Sequence, residues 1–216
     1  MREPSKFHPA FSYLLLLSTL FSLALSGCTS VPLKQDQSII AQTPAQRTLQ
    51  MKQLKNWKVT GKIAFIDKKS RNSASLSWAV NERTKTQQLN LTTYMGINVL
   101  QLNSRNNLHT IKADGQTYKG GNLEALIMDI TGLTLPTNAL TYWLKGFPYH
   151  DEDKFEYQNS TQLPLSLSSN YNNEKWQIIY GNYQSFDGYV LAKNFTIKKG
   201  GFMIKIAIND WTIASY

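Results

Sequence analysis

Alternation of apolar and polar residues with a period of two recurs along this chain and limits what the chain can fold into. Apolar residues or glycine occupy every second position of residues 57–65, and Leu76, Trp78 and Val80 repeat the pattern. Successive side chains of a β-strand point to opposite faces, so each run predicts a strand with one buried face. Turn residues such as the Asp-Gly pair at 114–115 separate the runs at short spacing, which favours an antiparallel meander.

The middle of the chain breaks this rhythm and predicts two short amphipathic helices. Apolar residues recur at helical spacing from Leu123 to Ile130, between a capping residue, Asn122, and a terminating residue, Gly132. A second stripe with the same spacing follows Pro136 and consists of Leu140, Trp143, Leu144 and Phe147. Helices this short are not stable alone in water, so each must lay its apolar stripe on another surface.

Further strands and one further helix complete the predicted order of elements. The strands are predicted at residues 87–92, 98–102, 108–113, 162–169, 176–180, 195–197 and 202–208, and the helix at residues 45–56. Leu49 and Leu54 are the apolar points of that helix, and Leu163, Leu165 and Leu167 mark the apolar face of strand 162–169.

This order predicts a mainly β, α+β fold, with one curved antiparallel sheet and two helices over its concave face. The helices either pack flush against that face or form a lid over a cavity for an apolar ligand. Periodicity does not separate the two arrangements.

The start of the chain is typical of an export signal. Arg2 and Lys6 precede an apolar stretch at residues 11–25, and Leu-Ser-Gly-Cys follows at residues 25–28. The apolar stretch is shorter than the roughly 20 residues that a membrane-spanning helix needs. The last four residues resemble the lipobox of bacterial lipoproteins, in which the cysteine receives a diacylglycerol and becomes the first mature residue. An ordinary signal peptide with a cysteine near its cleavage site is the alternative.

The resemblance to bacterial lipoproteins divides the chain into three parts. Residues 1–27 are the leader, residues 28–44 are the acylated Cys28 with a flexible tether, and residues 45–216 are the folded domain. Thr29 follows the cysteine where an aspartate would imply retention in the inner membrane. The resemblance therefore implies an outer-membrane location, at the periplasmic face.

The sequence lacks the motifs that mark most classes of enzyme. The sequence has no Gly-x-Ser-x-Gly motif, no phosphate-binding glycine loop and no zinc-type spacing of cysteine and histidine. We therefore expect no enzymatic activity, no cofactor and no metal. The net charge of +9 suits an anionic membrane surface or an acidic partner, and no nucleic acid is expected behind an export signal. His150 with the acidic residues 151–153 could bind a cation or supply half of an acid–base pair, but a solvated acidic loop is the simpler interpretation.

The segment between two of the predicted strands, residues 93–97, has an unusual composition. A hairpin tip is expected to be polar, yet this one carries Tyr94 and Met95 before Gly96. Either Met95 belongs to a strand and is buried, or the tip is an exposed apolar finger that touches a membrane or apolar cargo.

Several motifs together resemble the LolB family of outer-membrane lipoproteins, over most of residues 45–213. In the family's order and spacing they are the lipobox, residues 61–65 (GKIAF), Trp78, residues 91–96 (LTTYMG), 100–102 (LQL), 128–136 (MDITGLTLP), 143–148 (WLKGFP) and 204–211. The resemblance implies an incomplete antiparallel β-barrel with a short helical lid over an apolar cavity. It thereby favours a cavity over a flush core.

The resemblance also implies a function. A LolB-like protein accepts triacylated lipoproteins from the periplasmic carrier LolA and places them in the outer membrane, without a cofactor or covalent chemistry. Tyr94, Met95 and Gly96 match the membrane-insertion loop of the family, with Tyr94 in place of its usual proline. The expected partners are LolA, the lipoprotein cargo and outer-membrane lipids, and the protein is expected to be a monomer.

The apolar stripes of the strands and helices supply the predicted lining of an acyl-binding cavity. The predicted residues are Ile63, Phe65, Trp78, Leu91, Leu100, Leu126, Ile127, Ile130, Leu140, Trp143, Leu144, Ile178, Ile204 and Ile206. Two functions of other classes compete with the receptor. One is an envelope scaffold lipoprotein that binds peptide or envelope components, and the other is a lipid hydrolase, which the missing nucleophile motif disfavours.

Overall fold

A computed structural model describes residues 42–214 of the chain. The predicted leader, Cys28 and most of the predicted tether lie outside the described residues. Within this part of the chain there are three helices, α1 (Pro44–Gln53), α2 (Leu123–Thr131) and α3 (Thr137–Trp143). None of the helices found there is long and apolar enough to cross a membrane.

Eleven strands of residues 42–214 form a single antiparallel sheet. They are β1 (Asn56–Ile66), β2 (Arg71–Asn81), β3 (Thr86–Thr92), β4 (Asn98–Arg105), β5 (Leu108–Ala113), β6 (Gln116–Gly120), β7 (Lys154–Tyr157), β8 (Pro164–Tyr171), β9 (Glu174–Phe186), β10 (Tyr189–Lys199) and β11 (Phe202–Ile213). Their order is β6-β5-β4-β3-β2-β1-β11-β10-β9-β8-β7, so the sheet is open, with β6 and β7 at its edges. The predicted mainly β fold, an incomplete antiparallel barrel, is confirmed.

The first and last strands pair at the centre of this sheet. Val59 of β1 lies opposite Trp211 of β11, and Phe65 lies opposite Ile204. Strands β1–β6 precede the helical segment α2–α3 and form one wing, and strands β7–β11 follow it and form the other wing. The β1–β11 pair therefore joins the two wings.

The apolar sides of both wings face inward, and α2 and α3 cover them. The ring of Trp57 lies 5.7 Å from that of Trp78 and 5.4 Å from that of Trp211, centroid to centroid. Ile127 of α2 and Trp143 of α3 are buried in the same core. The helices therefore lie over the apolar concave face, as the periodicity predicts.

Local sequence signals fix the ends of α1 and α2. The side chain of Asn122 accepts a hydrogen bond from the first turn of α2, and Gly132 ends that helix with φ 69°. The hydroxyl of Thr43 accepts from the N–H of Gln46, whose side chain accepts from the N–H of Thr43 in return. This capping box starts α1 at Pro44, so Pro44 belongs to the helix and not to the tether.

The predicted apolar face of α1 is wrong in one respect. Leu49 is exposed, whereas Arg47 and Met51 are buried and Leu54 is buried just beyond the helix. Arg47, Met51 and Leu54 have the spacing i, i+4 and i+7, which places them on one side of a helix. The sequence did not predict that Arg47 lies on the buried side of α1, because arginine is seldom buried.

The predicted burial of Leu165 is also wrong, and two edge strands are not predicted at all. Pro164 pairs with Tyr157 and Ser166 pairs with Glu156, so Leu165 is the extra residue of a β-bulge and is exposed. The edge strands β6 and β7 are only five and four residues long. β6 has one aromatic residue, Tyr118, and the alternation of Phe155 and Tyr157 in β7 is brief, so neither gives the long apolar pattern of the other strands.

Gly61 lies where β1 meets a bulge in β11. The pairing shifts register after Thr60, so that Asn209 of β11 is the extra residue. A Cβ atom at Gly61 would lie 2.1 Å from the carbonyl oxygen of Ala207, much closer than van der Waals contact. The β1–β11 pair that joins the two wings therefore depends on glycine at this position.

We expect Gly61→Ala to lower the free energy of unfolding by about 2–3 kcal/mol, because the methyl group must push one backbone away from another. Urea-induced unfolding of the mature protein measures this change. Gly181→Ala is the control, since a Cβ there would lie 3.8 Å from the nearest atom, the Cβ of Asn194. Equal free energies of unfolding for the two variants would show that backbone contact does not constrain Gly61.

Candidate functional site

The connection between β3 and β4 is a tight hairpin loop, called here the apolar loop (residues 93–97). The N–H of Gly96 donates to the carbonyl oxygen of Thr93 at 3.0 Å, and the N–H of Thr93 donates to that of Ile97 at 2.8 Å. Gly96 has φ 80°, the left-handed conformation that closes hairpin loops of this length. The hydroxyl of Thr93 accepts a further bond from the N–H of Ile97. These bonds fix the shape of the loop.

Apolar side chains of this loop are exposed to water. Tyr94 is fully exposed, Met95 is 80% exposed and Ile97 is 60% exposed, and Val99 follows at the start of β4. These residues make up half of the large apolar side chains that are exposed within residues 42–214. The interpretation in which Met95 is buried in a strand is therefore wrong, and the exposed apolar finger is observed.

The residues predicted to line a cavity all belong to one core or pack against it. The buried ones are Trp78, Leu91, Leu100, Ile127, Leu140, Trp143, Leu144, Ile178, Ile204 and Ile206. The half-buried ones are Ile63, Phe65, Leu126 and Ile130. The fold brings the predicted set together on the concave face, which α2 and α3 cover. Their contact with acyl chains stays a prediction.

Aromatic and polar contacts attach α3 to the wing that follows it. The hydroxyl of Tyr180 donates to the carbonyl oxygen of Trp143 at 3.0 Å. The indole ring of Trp143 packs against Tyr171 and Trp176, with centroid distances of 6.1 Å. The end of α3 is therefore held by β8 and β9.

Two buried cations, Arg47 and Lys145, attach α1 and the segment after α3 to the sheet. The ammonium of Lys145 bonds to the carboxylate of Glu82 and donates to the carbonyl oxygen of Leu54 at 3.1 Å. The guanidinium of Arg47 donates to the carbonyl oxygens of Val190 at 2.7 Å and Lys145 at 3.3 Å. Burial lowers the pKa of both side chains, and the bond to Glu82 partly opposes this for Lys145. Loss of a partner would leave a buried charge uncompensated, so these contacts hold α3 in place.

The first turn of α2 reaches across to the opposite wing. The carboxylate of Glu124 accepts a hydrogen bond from the hydroxyl of Tyr171 at 2.7 Å and one from the amide of Asn172 at 3.2 Å. Burial, and then the bond to Glu124, hold the pKa of the Tyr171 phenol well above its ordinary value, so the phenol stays a donor. On its own wing α2 packs Leu126 against Gly120 of β6. We call the contact of Glu124 with Tyr171 and Asn172 the α2 clasp.

The acidic segment at residues 150–153 is part of a turn. The carboxylate of Asp153 accepts from the N–H of Tyr149 at 2.8 Å, the N–H of His150 at 3.2 Å and the indole of Trp143 at 3.3 Å. These bonds give Asp153 a role in shaping the turn after α3. Within residues 42–214 no three histidine, cysteine or acidic side chains are placed to share a metal ion.

A polar cleft of about 620 Å³ opens beside α3, bordered by Glu82, His109, Thr141 and Tyr142 among others. The Nδ1 atom of His109 lies 2.7 Å from the hydroxyl of Ser104. Burial lowers the pKa of this histidine. The cleft is lined by hydrogen-bonding groups and is therefore distinct from the apolar core that was predicted to hold acyl chains.

Sequence reasoning missed Lys145, Glu82, Glu124 and Tyr171. Lys145 lies in a motif that resembles the LolB family, but no local pattern marks it as buried. The two partners in each contact are far apart in the chain, with Glu82 in the β2–β3 turn and Tyr171 at the end of β8. The acidic first turn of α2 was the one available signal for Glu124, and it indicates a helix start and not a partner.

Comparison with known proteins identifies the fold and then the family. The fold is similar to the crystal structure of a LolA superfamily protein from Nitrosomonas europaea, with a TM-score of 0.51 and 9% identity, over 82% of this chain and 96% of that one. The likeness shows a shared fold, which in this chain is an open antiparallel sheet with helices on its concave face.

The sequence makes the assignment more specific. Residues 55–211 match the family model described as outer membrane lipoprotein LolB. The chain is 34% identical to the outer-membrane lipoprotein LolB of Aeromonas salmonicida (strain A449), over 89% of this chain and 93% of that protein. It is 31% identical to that of Pseudoalteromonas translucida (strain TAC 125), over 97% of this chain and 98% of that protein. This chain belongs to the LolB family, and the resemblance found in the sequence is confirmed.

We expect Tyr171→Phe to loosen α2, because it removes the hydroxyl that donates to the Glu124 carboxylate. A hydrogen bond to a charged group contributes about 1.5–3 kcal/mol, so the amides of α2 should exchange at least about tenfold faster. Hydrogen–deuterium exchange of the mature protein, compared with that of wild type, measures this change.

The matched control is Tyr118→Phe, which removes a hydroxyl whose acceptor, Gln116, lies in the same strand. This variant should leave exchange in α2 unchanged. Unchanged exchange in the Tyr171→Phe variant as well would contradict a role of the α2 clasp in holding the helix.

Proposed function

We propose that this protein is an outer-membrane lipoprotein that accepts lipoproteins from the periplasmic carrier LolA and inserts them into the outer membrane. The observation that carries the proposal is an exposed apolar loop on a chain of the LolB family. The names of its relatives, outer-membrane lipoproteins, support the location. In the proposal Cys28 carries the acyl chains that hold the protein at the periplasmic face, and residues 29–43 tether the domain.

The physical problem that such a protein solves is the cost of exposing acyl chains to water. A triacylated lipoprotein carries about 45 methylene groups, each worth about 0.8 kcal/mol when buried, or roughly 35 kcal/mol in all. Release of the cargo into water is therefore too slow to be useful. The chains must pass directly from one apolar enclosure to the next, and no covalent chemistry or cofactor is needed for that step.

The concave face would become the enclosure when α2 moves away from it. α3 is held by Tyr180 and by Lys145, whereas α2 reaches the opposite wing through the α2 clasp. Leu126 and Ile130 of α2 are only half-buried, so moving this helix exposes less new apolar surface than moving α3 with its buried Trp143. In this proposal α2 is the movable part of the cover and α3 the fixed part.

Direction would come from relative affinity. Without an energy source, the carrier should hold the acyl chains less tightly than this protein does, and the membrane should hold them most tightly. A lining of aliphatic and aromatic side chains without fixed polar groups suits many acyl chains and any attached protein. The positive net charge would speed association with an acidic carrier, since complementary charge acts mainly on the association rate.

The apolar loop would deliver the cargo by entering the lipid. The exposed side chains of Tyr94, Met95 and Ile97 gain free energy when they leave water, and the hydrogen bonds around Gly96 keep the loop in shape. The loop would therefore bring the concave face to the membrane surface before the acyl chains leave it.

We expect Met95→Glu to block insertion while leaving the fold and cargo acceptance intact. Met95 makes little contact with the core, so stability should change by less than about 0.5 kcal/mol. A carboxylate at the loop tip opposes entry into the acyl region, so transfer of purified cargo from this protein into liposomes should slow at least tenfold.

Leu108→Glu is the control. Leu108 is likewise an exposed apolar residue, with 60% of its surface accessible, but it lies at the start of β5, at the opposite end of the strands. It introduces the same charge without touching the loop and should transfer cargo at the wild-type rate. Equal transfer by wild type and Met95→Glu would remove the role given to the loop.

A second candidate is an envelope scaffold lipoprotein that binds peptide or envelope components. The observation that favours it is the packing of the helical cover, since Trp143 and Leu144 are buried in the apolar core. Mass spectrometry of protein purified from cells that produce lipoproteins separates the two. A receptor is expected to carry bound acylated lipoprotein. A scaffold is expected to carry envelope peptides and no acylated lipoprotein.

A further inference from the structure

The strand registers place the apolar loop and several distant turns at the same end of the sheet. Ile66, the last residue of β1, pairs with Arg71 of β2 and Met203 of β11, and Ser75 of β2 pairs with Thr92, which precedes the loop. The same alternation of direction continues across the sheet. We call this end the loop rim, and its turns are residues 67–70, 93–97, 114–115, 172–173 and 200–201.

Cations cluster at the loop rim next to the apolar loop. Lys68, Lys69 and Arg71 are exposed in and beside the β1–β2 turn. Two strand spacings, or about 10 Å, separate that turn from the β3–β4 connection. Lys198 and Lys205 lie close by on β10 and β11.

The β1–β2 and β10–β11 turns form one continuous surface. A Cβ atom at Gly201 would lie 3.4 Å from the Cε atom of Lys68, so the stem of this lysine rests on the second turn. The absence of a side chain at 201 leaves room for it. The lysine is thereby kept at the rim while its ammonium group stays in water.

The cations of the loop rim outnumber its carboxylates. Asp67 accepts hydrogen bonds from the N–H groups of Lys69 and Ser70 and from the Ser70 hydroxyl, and so shapes its own turn. Glu174 lies 3.8 Å from Lys199, which is a different lysine. With Asp114 as a further exposed carboxylate, the rim still has more cations than carboxylates.

Geometry, and not net charge, distinguishes this rim. The opposite end of the strands, the far rim, is also basic, with Lys52, Lys85 and Arg105 exposed. Strands β1 and β2 have 11 residues each, so the two rims lie roughly 30 Å apart. That separation is several times the Debye length of about 8 Å at physiological ionic strength. With the apolar loop in a membrane, only the cations of the loop rim are close enough to act on its surface.

We propose that the loop rim binds the headgroup phosphates of anionic phospholipids, through Lys68, Lys69 and Arg71. This inference rests on the proposed function, because it takes the apolar loop to be the part that enters the membrane. An apolar segment enters to about the headgroup boundary, which places cations beside it at the level of the phosphates. Lysine and arginine are the side chains that bind phosphate most strongly. The rim would fix the orientation in which the domain meets the membrane.

The test uses the full-length, lipid-anchored protein in vesicles of phosphatidylcholine alone or with roughly 30% phosphatidylglycerol. Hydrogen–deuterium exchange of residues 67–71 and 93–97 is the readout. We expect exchange at both segments to slow at least tenfold in the anionic vesicles, since each cation near such a surface contributes about a fivefold gain. About 0.5 M salt should remove the effect.

We expect no slowing of exchange in the loop-rim variant, Lys68→Gln/Lys69→Gln/Arg71→Gln. We expect normal slowing in the far-rim variant, Lys52→Gln/Lys85→Gln/Arg105→Gln. Both variants lose the same three charges, one set from each rim. Equal exchange in the two kinds of vesicle, or equal loss of slowing in the two variants, would overturn the inference. The inference would also be overturned if exchange in the loop-rim variant slowed normally on anionic vesicles but the variant failed to accept cargo from the carrier. The rim would then bind a protein partner.

Cargo transfer measured on the same vesicles separates this inference from the proposed function. If the wild-type protein transfers cargo but its exchange does not depend on anionic lipid, the inference about the loop rim is overturned and the proposed function stands. Wild-type protein that accepts no lipoprotein at all would overturn the proposed function.

Discussion

The apolar concave face of an open sheet is the constraint on which the rest of this structure depends. Because β6 and β7 remain edges, the barrel does not close on itself, and its inner side chains need a separate cover. Exposing that face would cost about 25 cal/mol for each Å² of apolar surface. The cover is the helical segment between the two wings, and the β1–β11 pair keeps those wings in one sheet. A ligand with acyl chains would satisfy the same face equally well, which is why this architecture suits lipid handling.

Polar contacts divide this cover into a firmly held part and a lightly held part. Separating a buried charge from its hydrogen-bond partners is costly. Near α3, Lys145 pairs with the carboxylate of Glu82, and Arg47 donates to the backbone carbonyl oxygen of Lys145. α2 has instead the α2 clasp, a partly exposed contact between Glu124 and the opposite wing. The sheet thus carries a cover whose two helices differ in how strongly they are held, although both have similar apolar stripes.

The apolar loop is the feature that an isolated soluble domain would not need. Its shape comes from local hydrogen bonds and from the left-handed conformation of Gly96, so the exposure of Met95 does not depend on the core. In the proposed function this exposure serves contact with the membrane. The cations of the loop rim lie at the same end of the sheet as this loop, so apolar and electrostatic attraction to a membrane would act there together.

The sequence by itself determined most of the helices and strands, the caps at Asn122 and Gly132, and the composition of the apolar loop. Each of these depends on neighbours within a few residues. The edge strands β6 and β7 escaped prediction because they are only five and four residues long, which leaves each with too short an apolar pattern. Only the tertiary structure decided that Leu165 is bulged out, that Arg47 and Lys145 are buried, and that five turns share one rim. These outcomes depend on register and partners far apart in the chain, and no local pattern carries that information.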